Sequence, residues 1–453
     1  MPSFKKTIRY SWWLLIEFVK KYLKLILLSF FLSFLFIIIA ISLFPYLNIL
    51  FFQKKEVVGI VGDYDINYLP EEIKTKISNG MFYLNQKGEL IPLLISRWEK
   101  SKDGLTYRFY LKTNLVWNDG KKLEAADINY DFIDITRRVI DTKTIEFQLK
   151  NPLEIFPIYL AEPIIRYPGI GIGGRYFISN MKVNQGKLQS LVLLPQEKEL
   201  PVLIYRFFRS ETQMITAYKT GKINKMKLTK KTVADYFKPW KNSRVIKQVD
   251  YSKILTLFFN FKKDWLKDKD VRQAILSAIN LANFNEFGEI ALTFISPYSF
   301  AYNPYLKRPI YDPEGAKKIL KKTFSSPKDS LKLITYWDHY DIADSIANDL
   351  KDANAPVNLE VIGYEKPHDF DLFLAYLQIP KDPDQYYFWH STQKQSNISN
   401  YQNLKVDKLL EDGRSTLDIK KRKEIYYKLQ EIIQNDPPAI FIFFPYVYTI
   451  ERI

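Results

Sequence analysis

The sequence predicts an α/β fold in an exterior domain that follows one transmembrane helix. One observation is a run of 29 residues without a charged side chain, residues 25–53, near the N-terminus. A second is the alternation of apolar strand patterns with amphipathic helix patterns from about residue 254 onward. A third is the length of 453 residues, which leaves room for roughly two to four domains.

The composition excludes several classes of protein. The chain contains no cysteine, which removes disulfide frameworks, zinc–thiolate sites, iron–sulfur clusters and cysteine nucleophiles. Apolar residues make up 47% of the chain, which argues against a wholly disordered protein. The formal net charge is +16. Such a charge suits an anionic bacterial envelope, and it is also what a solvated surface without a specific partner can carry.

Residues 25–53 form the predicted transmembrane anchor. About 20 apolar residues in a helix span a bilayer core, and residues 25–47 are nearly all Leu, Ile, Phe and Ser. Pro45 is expected to kink or end the helix near the outer interface. The alternatives are a signal peptide cleaved near Ala40 and a buried core helix. The charge-free stretch is longer than the apolar region of a signal peptide, which favours an anchor.

The charges beside the anchor predict its orientation. Residues 1–24 form a basic tail in which six lysine and arginine residues are opposed by Glu17 alone. The positive-inside rule places this tail in the cytoplasm and the chain after about residue 53 outside. The expected location is therefore the cell membrane, as a single-pass protein with the bulk of its chain extracytoplasmic. This topology argues against nucleic acid as a partner.

The first part of the exterior chain is predicted to hold short β elements around one helix. Pro70 suits the first turn of that helix, and residues 105–111 alternate as a strand does. Residues 144–149 and 187–194 are further predicted strands. A later helix, residues 213–220, is expected to end at Gly221, because glycine readily adopts the left-handed conformation that ends helices.

The second part of the exterior chain alternates strands and helices. Strands are predicted at residues 255–260, 331–336, 357–361, 371–375 and 439–444. Helices are predicted at residues 271–279, 315–320, 342–350 and over most of 407–433. Asp312 and Pro313 have the residue types of a helix N-cap and first turn. This order of elements predicts a layered α/β lobe.

Short motifs in a fixed order along the exterior chain carry a resemblance. They are residues 88–92 (GELIP), 96–99 (SRWE), 101–107 (SKDGLTY), 116–121 (VWNDGK), 125–128 (AADI), 221–223 (GKI), 270–275 (DVRQAI), 311–313 (YDP), 382–384 (DPD), 406–410 (VDKLL) and 438–440 (PAI). Together they span about residues 57–446 and resemble family 5 of the extracytoplasmic solute-binding proteins, which serve peptide and nickel ABC importers.

The resemblance implies a two-lobed, periplasmic-binding-protein-like fold of class II. Two hinge strands, expected near residues 254–259 and 439–444, would join the lobes, and the ligand would be clamped between them. Lobe I is expected at residues 54–256, with residues 438–453 returning to it, and lobe II at residues 257–437. A trimmed accessory subdomain is expected, because the chain is short between Asp127 and Asp141.

The resemblance also implies a function. The chain is expected to be a membrane-anchored substrate-binding protein that binds a peptide-like or other small solute between the lobes. It would deliver that solute to an ABC permease with a separate ATPase. It is not expected to be an enzyme, and no cofactor, metal or catalytic residue is implied.

One position departs from the family pattern. Relatives that bind peptides place an acidic residue three positions before the Asp382-Pro383 pair, where it holds the α-amino group of the ligand. Ile379 stands at this position here. Because a buried ammonium without a carboxylate is costly, the residue argues against free peptide amino termini as ligands.

Five residues are predicted to contact the ligand: Trp337, Tyr376, Gln378, Tyr387 and Trp389. They lie at or just beyond the ends of predicted strands, where ligands collect in open α/β lobes. Aromatic faces supply contact area and glutamine supplies orienting hydrogen bonds. The alternative is that each aromatic ring packs in the core. Replacing Trp389 with alanine is expected to weaken ligand binding without unfolding the chain.

Two alternative functions stay open from the residues alone. A membrane-anchored envelope hydrolase would use Asp382 and Asp384 as paired carboxylates. A helix-opening turn is the simpler interpretation of the same residues. A scaffold that kept the fold but lost transport is the other alternative, and Ile379 is the residue that favours it.

Two further patterns have a functional and a structural interpretation. Gly169, Gly171 and Gly174 match G-x-G-x-x-G, but a dinucleotide fingerprint must open a helix, and a strand is predicted here. These glycines are therefore expected in a permissive loop. The three histidines, His339, His368 and His390, are expected to be surface residues, with a metal site as the alternative.

Overall fold

The computed structural model describes residues 3–51, 54–326 and 330–453, with side chains described for residues 9–42, 54–326 and 330–453. The first element is helix α1 (Ser3–Phe51). Its segment Arg9–Ser42 is long and apolar enough to cross a membrane, and none of it is buried. The helix continues past Pro45 to Phe51, so it does not end at this proline, and a kink there stays a prediction. One lost backbone hydrogen bond does not stop an apolar helix.

The remaining described residues alternate short helices with strands. The helices are α2 (Glu71–Ile77), α3 (Phe156–Tyr159), α4 (Glu211–Lys219), α5 (Lys231–Asp235), α6 (Asp264–Lys267), α7 (Lys269–Ala278), α8 (Pro313–Thr323), α9 (Tyr340–Asp352), α10 (Tyr386–Trp389), α11 (Leu404–Arg414) and α12 (Ile419–Asn435). Single 3₁₀ turns lie at Ala125–Asp127, Leu281–Phe284 and Trp337–His339.

Strands supply most of the framework. They are β1 (Lys55–Val61), β2 (Phe82–Leu84), β3 (Leu90–Pro92), β4 (Ile95–Lys100), β5 (Thr106–Leu111), β6 (Ile135–Asp141), β7 (Thr144–Leu149), β8 (Tyr176–Asn184), β9 (Lys187–Pro195), β10 (Val202–Phe208), β11 (Lys225–Leu228), β12 (Ser243–Val249), β13 (Lys253–Phe259), β14 (Gly288–Ile290), β15 (Leu331–Tyr336), β16 (Val357–Ile362), β17 (Leu372–Gln378) and β18 (Ala439–Arg452).

Twelve of these strands pair into one mixed sheet. Its order is β16-β15-β17-β13-β18-β11-β1-β10-β9-β8, and β12 and β14 also pair with β18. The 14-residue strand β18 connects two parts of the sheet. Residues 439–445 of β18 pair with β13 and β14, and residues 446–452 pair with β12, with β11 alongside.

The chain passes twice between these two parts. One passage is the connection from β12 to β13, residues 250–252, and the other lies at residues 445–446 inside β18. The strands expected as hinges, residues 254–259 and 439–444, pair within the second part. The chain therefore passes from one part of the sheet to the other just outside these two predicted strands. It does so immediately before residue 254 and immediately after residue 444.

Four described hydrophobic clusters divide in the same way. Two are built from residues before 238 together with the end of β18. The other two are built from residues 254–444. We call the elements β1 to β12 with the end of β18 lobe one, and the elements β13 to α12 with the start of β18 lobe two. Each lobe thus has its own apolar core, as a rigid body requires.

Lobe one also carries a separate four-stranded sheet in the order β4-β5-β7-β6. Its inner face buries Phe109 and Phe147, and Trp117 packs in the same cluster. Only residues 128–134 connect the 3₁₀ turn at Ala125–Asp127 to β6. Trp98 packs edge-on against Phe82 at 5.3 Å between ring centroids.

Local sequence signals explain several element ends. Asp312 Oδ1 accepts a hydrogen bond from the Gly315 N–H at 2.9 Å and caps α8, whose first residue is Pro313. Helix α4 ends just before Gly221, which has φ +76°. The predicted helical region 407–433 is two helices, because Asp418 caps α12 by accepting backbone N–H groups of its first turn.

Candidate functional site

The candidate site begins at one edge of the sheet in lobe two. Strands β15 and β17 are parallel neighbours, so their carboxyl ends lie at the same edge. Trp337 follows β15 directly, and Tyr376 and Gln378 close β17. Residues 379–390 then run from β17 to the end of α10. Such an edge is where ligands bind in open α/β sheets.

A polar cluster joins this edge to lobe one. The hydroxyl group of Tyr159 in α3 donates a hydrogen bond of 2.8 Å to Asp384 Oδ2. It accepts one of 3.0 Å from Arg414 Nη2, and Arg414 Nε lies 3.0 Å from the same Asp384 oxygen. We call Tyr159, Asp384 and Arg414 the interlobe cluster, because one member comes from lobe one and two from lobe two.

Burial sets the electrostatics of the interlobe cluster. Burial raises the pKa of the Asp384 carboxyl, against the opposing charge of Arg414. Burial lowers the pKa of Arg414, but the charge of Asp384 together with Tyr159 and Tyr387 outweighs burial, so this pKa is raised overall. Burial also raises the pKa of the Tyr159 phenol. Tyr159 is therefore a protonated donor at neutral pH, and the guanidinium is a fixed positive charge.

Other contacts between the lobes surround this cluster. Lys381 Nζ lies 3.2 Å from Glu71 Oε1, at the start of α2. The turn at Gly88, with φ +78°, lies so near Phe300 that a Cβ there would be 2.4 Å from the ring. Residues of the two lobes are therefore in direct contact.

A second arginine–aspartate pair is internal to lobe two. Arg422 donates two hydrogen bonds to Asp382, of 2.8 Å and 2.6 Å, and both side chains are buried. Asp382 Oδ1 also accepts the Asp384 N–H at 3.0 Å. Each carboxylate of the Asp382-Pro383-Asp384 turn is thus held by its own arginine. This arrangement fixes the turn and leaves no free carboxylate pair of the kind a hydrolase uses.

Tyr376 is brought to a polar environment at the end of β17. Its half-buried ring meets the His339 imidazole edge-on at 4.7 Å between centroids, and Lys253 Nζ lies 4.7 Å from its centroid. Gln378, two residues on, is exposed. Trp337 is 72% exposed and offers a free indole face near the same edge.

Tyr387 and Trp389 differ sharply in their surroundings. Tyr387 is half exposed, and its ring centroid lies 5.1 Å from the guanidinium carbon of Arg414. Trp389 is 1% exposed and packs with Phe258, Phe294 and Phe441. Its Nε1–H has no hydrogen-bond partner among the described residues. Trp389 is a core residue here, so its replacement removes packing as well as any ligand contact.

The sequence analysis missed Tyr159 and Arg414. Tyr159 lies in a four-residue helix, and Arg414 is the last residue of an ordinary amphipathic helix. Neither position has a local pattern that marks it. Their importance comes from a contact between residues that are 255 positions apart in the chain, which a local pattern does not encode.

The histidines and the glycine motif have structural surroundings. Within the described ranges no three His, Asp or Glu side chains are grouped so that they could hold a metal ion. His339 is buried, which lowers its pKa, so the expectation of a surface histidine is wrong there. His390 is buried too and stacks on Tyr386 at 4.1 Å.

Strand β8 follows the glycines, and a Cβ on Gly171 would lie 2.0 Å from the Ile77 carbonyl oxygen.

Comparison with known sequences gives a consistent result. The family profile described as "Bacterial extracellular solute-binding proteins, family 5 Middle" matches residues 89–190 and 195–399. The oligopeptide-binding protein AppA of Bacillus subtilis is 23% identical over 470 residues, covering 86% of each chain. The dipeptide-binding protein of Escherichia coli is 24% identical over 442 residues, covering 78% of this chain and 81% of the relative.

Solved structures have the same architecture. The ABC transporter substrate-binding protein CtaP of Listeria monocytogenes superposes with a TM-score of 0.71 at 20% identity, covering 88% of this chain and 94% of that one. NikZ of Campylobacter jejuni, solved in complex with Ni(L-His), gives a TM-score of 0.69 with the same identity and coverage. AppA of B. subtilis, in complex with a nonapeptide, gives 0.68. These similarities show the fold, which is mixed α/β and two-lobed.

Proposed function

This chain belongs to family 5 of the bacterial extracellular solute-binding proteins, and from that premise we propose that it is a membrane-anchored receptor for an ABC importer. It binds a peptide-like or other small solute between its lobes and delivers it, chemically unaltered, to a permease driven by a separate ATPase. The proposal is a carrier function without a catalytic step.

The interlobe cluster is the observation that carries this proposal. A receptor of this kind needs two rigid bodies that can close on a ligand and open again. Two cores, two chain crossings and a small polar contact between the lobes meet that need. Closure on a ligand can form the Tyr159–Asp384 hydrogen bond, and opening can break it. Losing one hydrogen bond costs far less free energy than separating a shared apolar core.

The proposed ligand contacts are the five predicted residues, in two groups. Trp337, Tyr376 and Gln378 stand at the carboxyl ends of β15 and β17, and Tyr387 lies beside Arg414. These four present exposed or half-buried surface. Trp389 is proposed to form the buried base of the site below these four residues, since its ring is buried. Its indole N–H is the one polar group with which it could bind a ligand.

Ile379 limits the class of ligand. Its side chain packs against the apolar cluster of lobe two, and its N–H donates a hydrogen bond of 2.7 Å to the Ser252 carbonyl oxygen. No carboxylate occupies this position to receive an ammonium group. We therefore propose a ligand without a free α-amino group at this point, such as an N-blocked peptide or an uncharged solute.

Helix α1 is proposed as the membrane anchor, with residues 1–24 in the cytoplasm and the lobes outside. We also propose the lobe limits 54–256 with 438–453 for lobe I and 257–437 for lobe II. The sheet pairing supports a boundary a few residues earlier, at residues 250–252. The crossing within β18 supports a second boundary near residues 445–446.

A thermal unfolding experiment on the full-length chain in detergent tests the proposal. A receptor that is saturated at 100 times its dissociation constant gains about 2.7 kcal/mol. The small molecules released from the purified, denatured protein are the first probes. They should raise the melting temperature of fresh protein and be recovered unaltered. A scaffold that lost transport would show no shift with any fraction, and a hydrolase would return altered molecules.

A further inference from the structure

A cavity of about 440 Å³ opens in lobe two, away from the candidate site. It lies at the amino end of β17, where Asn260 and Phe370 line it. Gln378 closes the other end of the same strand. At about 3.3 Å per residue the two sites are roughly 20 Å apart along β17. The proposed solute site and this cavity are therefore separate places.

The lining of this cavity is strongly basic. Lys262, Lys263, Lys366 and Lys394 all contribute to it, and Asp369 is the one carboxylate beside them. Lys263 Nζ lies 2.8 Å from Asp369, so that carboxylate is already engaged. We call the cavity that these four lysines line the lysine cavity.

Most of the positive charge in the lysine cavity has no counter-charge. In the described part of the chain neither Lys262 nor Lys394 is within ion-pair distance of a carboxylate. Among the residues that the structure describes, the one partner of Lys366 Nζ is the Gln395 carbonyl oxygen, at 3.0 Å. The nearby carboxylate of Asp371 is buried and turned inward, where it accepts hydrogen bonds from Trp265 Nε1 and the Lys332 N–H. It is therefore not available to the cavity.

The floor of the cavity is rigid and polar. Asn260 and Asn397 are buried. The Asn260 amide donates to the Phe370 carbonyl oxygen at 2.7 Å, and the Asn397 amide donates to the Tyr401 carbonyl oxygen at 2.9 Å. These hydrogen bonds hold the loops that carry the lysines. The cavity is thus a formed site with clustered charge on fixed loops, rather than a row of lysines on a helix.

From this geometry we infer that the lysine cavity binds a phosphate-bearing group, either on a small soluble molecule or on a lipid head group. Like charges that line one cavity repel one another, and a multivalent anion bound among them relieves the repulsion. Lysine binds phosphate as a point charge, and the described residues that line this cavity include four lysines and no arginine. The volume lies within the range of about 300–1,000 Å³ found for small-molecule sites.

Calorimetry with glycerol 3-phosphate on the full-length chain in non-ionic detergent tests the inference. The test variant is Lys262→Gln with Lys394→Gln, because both side chains are exposed and unpaired among the described residues. The control is Lys121→Gln with Lys122→Gln, which removes the same charge from exposed positions in lobe one. We expect saturable binding that weakens about tenfold in the test variant and less than about twofold in the control.

Nanodiscs distinguish the two sources of the phosphate. Binding of glycerol 3-phosphate is compared in pure phosphatidylcholine discs and in discs that also contain phosphatidylglycerol. Weaker apparent binding in the phosphatidylglycerol discs would support the inference and identify a lipid head group as the source of the phosphate. Equal binding in both discs would support it and assign a soluble molecule. Absence of saturable binding, or equal loss of affinity in the test and control variants, would overturn it.

Discussion

The Tyr159 hydroxyl group and the Asp384 carboxylate, 225 residues apart in the chain, form a hydrogen bond of 2.8 Å between the two lobes. Arg414 contacts both partners. This bond is part of a small polar contact between residues of the two lobes.

Tyr159→Phe is expected to open the lobes in the absence of solute. The change removes one hydrogen bond to a charged group, about 1.5–3 kcal/mol, while Asp384 keeps its contact with Arg414. Since the chain has no cysteine, spin labels can be attached through Lys102→Cys in lobe one and Lys351→Cys in lobe two. Their distance distribution should broaden toward longer values.

Tyr107→Phe is the matched control for that experiment. The Tyr107 hydroxyl group donates a hydrogen bond of 2.9 Å to the Leu153 carbonyl oxygen, and both residues belong to lobe one. Its loss should lower stability without changing the distance between the labels. An identical distance distribution in Tyr159→Phe and wild type would show that the bond does not hold the lobes together.

Arg422→Met is expected to destabilise the chain by about 3–5 kcal/mol, because it leaves the buried Asp382 carboxylate without its partner. Adding Asp382→Leu should recover part of that loss, since both charges are then gone. Denaturant unfolding measures both variants. Lys408→Met, which breaks the exposed Lys408–Asp412 pair, should cost less than about 1 kcal/mol. Equal losses for Arg422→Met and Lys408→Met would refute a structural role for the buried pair.

Tyr387→Ala and Trp389→Ala are expected to differ in their effect on stability. Tyr387 is half exposed, so its truncation should weaken solute binding with little change in unfolding. Trp389 packs against three phenylalanine rings in the core, so its truncation should cost about 3–5 kcal/mol. Calorimetry with the released solute and thermal melts give the two readouts. Unchanged affinity in Tyr387→Ala would remove this residue from the site.

His339 is expected to make stability depend on pH in mildly acidic solution. Burial lowers its pKa below the ordinary value of 6.5. Below pH 6.5 the unfolded chain therefore binds more protons at this residue than the folded chain does. Stability rises with pH in that window and levels off above it. The free energy of unfolding of His339→Gln should have a smaller slope there than wild type, and equal slopes would contradict the assignment.

Helix α1 is expected to hold the chain in the membrane. Salt removes proteins that are bound by surface charge alone, whereas an apolar helix requires detergent. Membranes from expressing cells should therefore retain the full-length chain through high-salt washes and release it in non-ionic detergent. Release by salt would exclude a spanning anchor.

The fold of lobe two could largely be predicted from the sequence. The predicted strand 331–336 coincides with β15, and the helix at 271–279 is α7 within one residue at its end. Both have strong periodic patterns, and α8 has a clear start signal in Asp312. Strands β10 and β12 of lobe one were missed, since each is defined by pairing with strands distant in the chain. The extension of β18 beyond residue 444 was missed for the same reason.

The candidate site could be predicted only as a region. The carboxyl ends of β15 and β17 follow from strand order, and they place Tyr376 and Gln378 at one edge. The burial of a side chain does not follow from its position in a motif. Trp389 is therefore buried although Tyr387, two residues earlier, is half exposed. The contact of Tyr159 with Arg414 depends on how the lobes meet, which no local pattern reports.

Distance measurement between the labels at positions 102 and 351, during titration with the solute released from the purified chain, tests the central claim most directly. The account predicts that the distribution narrows to the shorter distance with a saturable dependence on solute, and that the solute is recovered unaltered. A distribution that stays the same at every concentration, for a solute that binds, would contradict closure of two lobes on a carried ligand.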